Sequence, residues 1–346
     1  MIRISDKSQC CGCTACMSIC PAQCIIMRRD REGFDYPMAN PDLCISCGKC
    51  EDVCPMSHAK DAEGPVETLA ARVPDYTENN PSGGVLPALA ATVIDEGGLV
   101  YGAVMNPDMT VSHTDASDMQ VVERMLGAGY VQSELYASFE EVRYELEAGR
   151  KVIFTGTPCQ IAGLRAFIGH DVPELLLIDF ACPGVPGPGL WEKYVKAIAP
   201  NHPARSRDSY VLLYQQNMTL RPSCYQCPFR KGSSGSDLTL ALLQNVAEAL
   251  PELADSKSVT LIRVHSDKGR KSISAIGLPL KPVDPVLALR GNKAFEGDIP
   301  VPERRDEFFK GIHSAKDIIK YMQGFVVKES IPAKIREAVR SLLTKN

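Results

Sequence analysis

Cysteine spacing constrains this chain more than any other feature. Cys10, Cys13, Cys16 and Cys20 stand in a C-x2-C-x2-C-x3-C-P frame, and Cys44, Cys47, Cys50 and Cys54 repeat it. Thiolates are soft ligands that suit iron–sulfur clusters, and each cubane needs four of them. In repeats of this kind the fourth cysteine of each run serves the other run's cluster. The spacing therefore predicts one 4Fe-4S cluster on Cys10, Cys13, Cys16 and Cys54, and a second on Cys44, Cys47, Cys50 and Cys20. Pro21 and Pro55 close the two runs, where proline fixes φ and stops a helix. Two zinc sites are the alternative, but zinc pairs of the C-x2-C type are normally separated by a longer spacer and lack the tight triple. Cys11 and Cys24 fall outside the frame and read as small buried side chains.

The frame predicts an α+β ferredoxin-like module with two 4Fe-4S clusters over residues 1–60. Inside it, residues 25–28 and 34–36 read as short strands joined through Asp30-Arg31-Glu32-Gly33 as a hairpin. Arg28, Arg29 and Arg31 read as its solvated tip. Residues 61–81, punctuated by Glu63-Gly64-Pro65 and Asn79-Asn80-Pro81, read as a linker. From residue 82 to 346 helical and strand patterns alternate, which predicts an α/β domain with a mixed sheet. Helices are expected over 85–96, 117–126, 138–148, 161–168 and 267–276, and strands over 99–105, 151–154, 175–180 and 259–264. The stretch from residue 303 reads as helical, ending in 335–343, and Trp191 reads as a helix core residue.

Several classes of function are excluded by composition and pattern. Lys and Arg number 38 against 42 Asp and Glu, so no bulk field points to nucleic acid or an anionic membrane. No apolar stretch approaches the roughly 20 residues that span a bilayer. The opening MIRISDKSQCCGC has no hydrophobic signal core, so a cytoplasmic location is expected. Fourteen cysteines in such a setting favour metal or redox use over disulfides, as in the reducing cytoplasm of an anaerobe. No G-x-G-x-x-G follows a strand and no G-x-x-x-x-G-K-[ST] occurs, which argues against a Rossmann nicotinamide site and against nucleotide hydrolysis. The six histidines are scattered without ligand spacing.

Four further cysteines, Cys159, Cys182, Cys224 and Cys227, lie at expected loop positions next to strand or helix ends. They suit a third 4Fe-4S cluster built from separate segments. Equally, Cys159 and Cys182 can be buried structural thiols, leaving only the C-x2-C pair with metal or redox meaning. Spacing leaves both readings open.

Longer motifs carry a resemblance. SGGVLPALAATVIDEGGLVYGAVM from Ser82, GAGYVQSEL from Gly127 and FTGTPCQIAGLRAFIG from Phe154 are followed by LLLIDFACPGVPGPGLWEKYV from Leu175, RPSCYQCPFR from Arg221, SDLTLALL from Ser236 and PVPERRDEFFKGI from Pro300. Over these segments and the cysteine-rich module the chain resembles the coenzyme F420 hydrogenase/dehydrogenase beta subunit family. The resemblance implies an iron–sulfur flavoprotein oxidoreductase. Electrons would pass between ferredoxin-type clusters and a two-electron acceptor, a deazaflavin or an organic substrate, with ferredoxin or a redox partner subunit on the other side. It further implies that Cys159, Cys182, Cys224 and Cys227 ligate a cluster beside FAD.

Flavin contacts are then expected at two loops. Ser82, Gly83 and Gly84 precede a helix whose free amides and dipole suit a phosphate, although an ordinary N-capping serine reads the same way. Thr155, Gly156, Thr157 and Pro158 form a second strand-to-helix loop, and Tyr130, Gln132 and Ser133 are either flavin contacts or a surface turn. No catalytic residue is singled out. Three positions depart from the family pattern: Pro183 replaces a histidine, Gly129 a lysine, and Ala241 to Asn245 a G-D-F-W-G segment. Their loss favours an alternative reading, a non-catalytic electron-relay subunit with a degenerate flavin site.

Overall fold

The computed structural model describes residues 1–59, 67–73, 83–126, 131–198, 208–230, 234–254, 256 and 259–327. The N-terminal module is built on a local backbone repeat. Helix Ala15–Ser18 carries Cys16 and helix Lys49–Asp52 carries Cys50, each following a left-handed residue, Thr14 at φ 63° and Gly48 at φ 79°. Two residues earlier the same conformation recurs at Gly12, φ 74°, and Ser46, φ 55°. Left-handed residues therefore alternate with the cysteines and curl each run around a hollow. Strands β1 (Ile25–Arg29) and β2 (Asp35–Ala39) pair antiparallel, and the Asp30 carboxylate accepts from the amides of Glu32 and Phe34 to hold their turn.

Beyond the module lies an eight-stranded mixed sheet of β3 (Glu67–Ala71), β4 (Leu99–Met105), β5 (Val111–Ala116), β6 (Val152–Gly156), β7 (Leu175–Phe180), β8 (Leu238–Leu242), β9 (Thr260–Val264) and β10 (Lys281–Pro282). Its order is β10-β3-β9-β8-β7-β6-β4-β5. Neighbours β4, β6, β7 and β8 run parallel, and the remaining pairings are antiparallel. The short apolar runs of the parallel strands are buried on both faces, as such strands require. Residues 61–81 are thus not only a linker: Glu67–Ala71 is an interior strand between β9 and β10, its small residues Ala70 and Ala71 1 % exposed. The expected helix over 335–343 lies outside the described residues. None of the described helices is long and apolar enough to cross a membrane.

Alternation along the strands gives the sheet two apolar faces. Ile153, Leu176, Ile178 and Leu238 pack with Leu86 and Leu89 of helix Val85–Asp95 on one side. Phe154, Leu175 and Leu177 face the other side, where they meet Phe139, Ile161 and Leu164 together with Cys13, Cys16, Ile25 and Val53 of the N-terminal module. Module and sheet therefore share one core. A third cluster sets Phe34 and Tyr36 of the hairpin against Trp191, Tyr210, Phe308 and Phe309, and Trp191 is a buried helix residue as expected. Arg29 is not a solvated tip. It pairs with Asp35 at 3.0 Å, with Glu134 at 3.0 Å and with Glu192, and so ties the hairpin to the larger domain.

Candidate cluster sites and their junction

Two hollows in the N-terminal module are ringed by thiols. Cys10, Cys13, Cys16 and Cys54 line the first, with Ile2, Ile4, Met27 and Met56. Cys20, Cys44, Cys47 and Cys50 line the second, with Ile25 and Ile45. The fourth thiol of each run lies in the other run's hollow. Burial pushes the Cys16 thiol up to about 12, and the neighbouring Cys10, Cys54 and Cys50 push the same way. Such crowded thiols become thiolates at neutral pH only when a cationic core offsets their charge. Four sulfurs on an apolar wall fit an iron–sulfur core. Among the described residues no three His, Cys, Asp or Glu side chains converge as they would on a single ion.

The two cysteines outside the frame are buried, and each sits beside another thiol. Cys24 lines the second hollow, its sulfur 3.5 Å from that of Cys20. The Cys11 thiol is within hydrogen-bonding reach of both Cys13 and Cys159.

The third set is assembled at the carboxyl ends of the parallel strands. Cys159 opens helix Pro158–Ile168 after β6, beneath a capping box made by Thr157 and Gln160. Cys182 follows β7, and Cys224 ends the short turn Pro222–Cys224. A bridge between Pro186 and Leu220 and the bond from the Arg221 amide to the Val185 carbonyl, 3.0 Å, draw these loops together. Gly184 makes the approach possible: at φ 111° its α-carbon faces Leu220 and Cys224 so closely that a β-carbon would stand 3.2 Å from that of Cys224. The four thiols act on one another. Burial raises Cys182, and Cys224, Cys159 and Cys227 add to it; burial takes Cys224 to about 11 and Cys227 to about 12, with Cys159 contributing to both. The Gly184 amide donates to the Cys182 sulfur at 3.4 Å, and the Thr157 hydroxyl is 3.2 Å from that of Cys159.

Arg221 sits where the first and third sets meet. Its guanidinium donates to the Cys10 carbonyl at 2.7 Å, the Asp35 carbonyl at 2.8 Å, the Gln132 side-chain oxygen at 3.1 Å and the Cys10 sulfur at 3.7 Å. Gly12 makes room for it, since a β-carbon there would stand 2.8 Å from the guanidinium.

The residues expected to contact a flavin divide between two places. Ser82 and Tyr130 lie outside the described residues. Gly83 and Gly84 pack against Thr260 and Val73, at the end of the sheet where β3 meets β9. Thr155, Gly156, Thr157, Pro158, Gln132 and Ser133 gather at the carboxyl end of β6, with β7 and β8 between them and the glycine pair. Their side chains are already engaged: Gln132 donates to the Cys11 carbonyl at 2.9 Å, and Ser133 accepts from Gln160 at 2.9 Å and meets the His113 ring at 3.0 Å. Open space of about 380 Å³ lies beyond the ends of β7 and β8, bounded by Ala181 and Pro183 on either side of Cys182 in the chain and by Asn217, Ala241, Gln244 and Lys293. The carboxyl ends of strands are where α/β sheets receive ligands.

His113 is 5 % exposed, stacks on Phe154 at 5.1 Å and bonds the Thr155 carbonyl at 2.9 Å; burial holds its imidazole down to about 4. An unfolded histidine titrates near 6.5. The folded chain therefore keeps its full stability above that pH and loses it as the pH falls through about 4, by roughly 3 kcal/mol for a shift of this size. Urea unfolding followed from pH 7 to pH 4 should show this slope, to which His265, also held down by burial to about 4, adds in the same direction, and His113→Gln should reduce it. An unchanged slope in the substituted protein would count against the assignment.

The sequence matches the model of a 4Fe-4S dicluster domain over residues 9–59, and over residues 149–277 that of the C terminus of the coenzyme F420 hydrogenase/dehydrogenase beta subunit. An uncharacterized protein of Methanocaldococcus jannaschii is 24 % identical over 201 residues, 48 % of this chain and 54 % of its own length. A 7Fe ferredoxin of Hydrogenibacillus schlegelii is 46 % identical over 43 residues, 12 % of this chain and 49 % of its own length. An uncharacterized ferredoxin of Methanocaldococcus jannaschii is 40 % identical over 57 residues, 16 % of this chain and 86 % of its own length. The chain spans about half the length of the first two of these relatives.

Proposed function

Because this chain belongs to the iron–sulfur proteins that join a 4Fe-4S dicluster domain to the C-terminal domain of the coenzyme F420 hydrogenase/dehydrogenase beta subunit, we propose that it is an oxidoreductase subunit that conducts electrons inward to a two-electron acceptor. The observation that carries this reading is the link through Arg221, whose guanidinium donates to the Cys10 carbonyl at 2.7 Å and whose own carbonyl accepts from the Cys224 amide at 2.9 Å, which sets the first and third thiol sets side by side. Bound clusters would supply one-electron transfer, and a flavin the exchange between single electrons and a pair.

The residues divide the work. Cys10, Cys13, Cys16 and Cys54 hold the inner N-terminal cluster, and Cys20, Cys44, Cys47 and Cys50 the outer one. Cys47 is exposed, with Leu43 and Ile45 exposed beside it, so we place the docking of ferredoxin or a redox partner subunit there. Cys159, Cys182, Cys224 and Cys227 hold a third cluster. The acceptor, whether FAD, a deazaflavin or an organic substrate, occupies the space beside Cys182, where Lys293 suits an anionic group.

A second reading has support of its own. Gln132 and Ser133 are committed to partners within the protein, and among the described residues lining the acceptor space only Tyr214 and Lys293 can give or take a proton, where the family pattern has a histidine at Pro183. A relay subunit that hands electrons to another protein fits those facts. Anaerobic purification separates the two readings. About twelve iron atoms per chain, with a flavin absorbance band, are expected for the oxidoreductase; about eight without flavin would replace it with the relay.

A further inference from the structure

Arg221 is 1 % exposed and among the described residues has no carboxylate within ion-pairing distance. Arg230, 6 % exposed, is likewise without a carboxylate among the described residues and donates to the Cys224 carbonyl at 2.7 Å, but Arg305 and Arg263 differ. Arg305 pairs with Glu32 at 2.5 Å, and Arg263 lies within the influence of Asp179. Around Arg221 stand two carbonyls, one amide oxygen, the Cys10 sulfur, and the rings of Tyr36 at 4.4 Å and Phe34 at 5.5 Å. A guanidinium cannot shed its proton, and a buried charge without a counter-charge is strongly destabilising. The groups able to balance it are the thiols of Cys10, Cys11 and Cys224, all of which act on it. Two of these belong to different proposed cluster sites.

We propose that Arg221 is the counter-charge of the inner N-terminal cluster and sets the potential at which that site takes up an electron bound for the Cys159 set. This rests on the cluster reading above. Adding an electron raises the negative charge of a site whose wall is Ile2, Ile4, Met27 and Pro37, and burial in such a wall opposes that charge. A fixed cation and an N–H···S hydrogen bond at Cys10 favour it. Neither hollow has an arginine or lysine side chain on its wall; Arg221 reaches the inner site through the Cys10 sulfur, whereas the cation at the outer site is the Met1 amino group, paired with Glu51 at 3.4 Å. One electron enters and one leaves, with no bond made or broken. Arg221 thus keeps the buried step from being an uphill barrier between the outer site and the third thiol set.

The test uses the full-length chain, assembled anaerobically with iron and sulfide, counted for iron and titrated with electron paramagnetic resonance as the readout. Arg221→Gln removes the charge. Gln132→Glu keeps Arg221 and neutralises it from the position where the Gln132 oxygen now lies 3.1 Å away. Each should lower the reduced-to-oxidised ratio of one cluster at a fixed potential by about tenfold or more, which is about 59 mV for a one-electron couple. Arg221→Lys, which keeps the charge, should retain most of the ratio. If the neutralising variants lose one cluster's iron and Arg221→Lys retains it, the proposal is likewise supported. Iron intact with unshifted titrations overturns it, as does equal loss of iron in all three variants, which would mark a packing role. An unsubstituted chain that assembles no cluster overturns the preceding functional reading instead.

Discussion

Replacing Cys182 with alanine is expected to cut the iron of the assembled protein from about twelve atoms per chain to about eight and to stop delivery of electrons to the acceptor. The effect should be confined. Cys182 sits after β7 on the larger domain and touches neither N-terminal hollow, so the resonance signals of those two clusters should persist. Its sulfur is the one that the Gly184 amide approaches, and its neighbours Cys159, Cys224 and Cys227 come from two other segments of the chain. Losing it leaves three thiols where a cubane needs four. With a chemical reductant as donor, acceptor reduction should drop to background while the N-terminal clusters still reduce. Iron unchanged by the substitution would remove the third cluster from the proposal.

Arg305→Ala carries the largest expected loss of stability. Its guanidinium donates to both Glu32 carboxylate oxygens, at 3.1 and 2.5 Å, to the Leu220 carbonyl at 3.0 Å and to the Tyr225 hydroxyl at 3.0 Å. Three groups, from the hairpin turn and from the C-x2-C pair and its approach, therefore depend on one side chain. Breaking a buried ion pair by removing one partner costs about 3–5 kcal/mol, because the other charge is left without compensation. Glu32 keeps 27 % of its side chain in water, which places the expected loss near the lower figure, about 3 kcal/mol. Urea unfolding of Arg305→Ala, Glu32→Gln and the double variant would measure it. A coupling near zero would mean that the contact behaves as an exposed pair worth less than about 1 kcal/mol.

What the sequence disclosed follows from how locally each feature is encoded. The cysteine frame is local, and it places the N-terminal module. Strands β4 and β7 coincide with residues 99–105 and 175–180, because each is an unbroken apolar run, β4 opened by Gly97-Gly98. Strand β3 escaped, since Thr68, Leu69, Ala70 and Ala71 are few and small and lie among turn residues. Strand β5 escaped because Ser112, His113, Thr114 and Asp115 mask it, although it needs only β4 as a partner at the sheet edge. The junction residues had no local signal at all. Arg221 reaches Cys10 across 211 positions, and Gln132 reaches Cys11 across 121. An arginine three residues ahead of a C-x2-C pair was visible, but its purpose depends on which loop folds back against it. The two glycine-bearing loops offered for a flavin look alike in sequence, and only the strand order shows that one stands at the end of β6 and the other where β3 meets β9.

The exchange of a sulfur between the two N-terminal hollows has a consequence for how this protein ages. A cluster held at the outer site would meet oxygen first, since Cys47 is exposed. Cys20 belongs to that centre by position yet is continuous in the backbone with Cys16, which faces the inner one. Damage at the rim therefore tugs on the strand of chain that cages the interior. Repair must rebuild both centres as a unit, since neither run holds a complete set of anchors by itself.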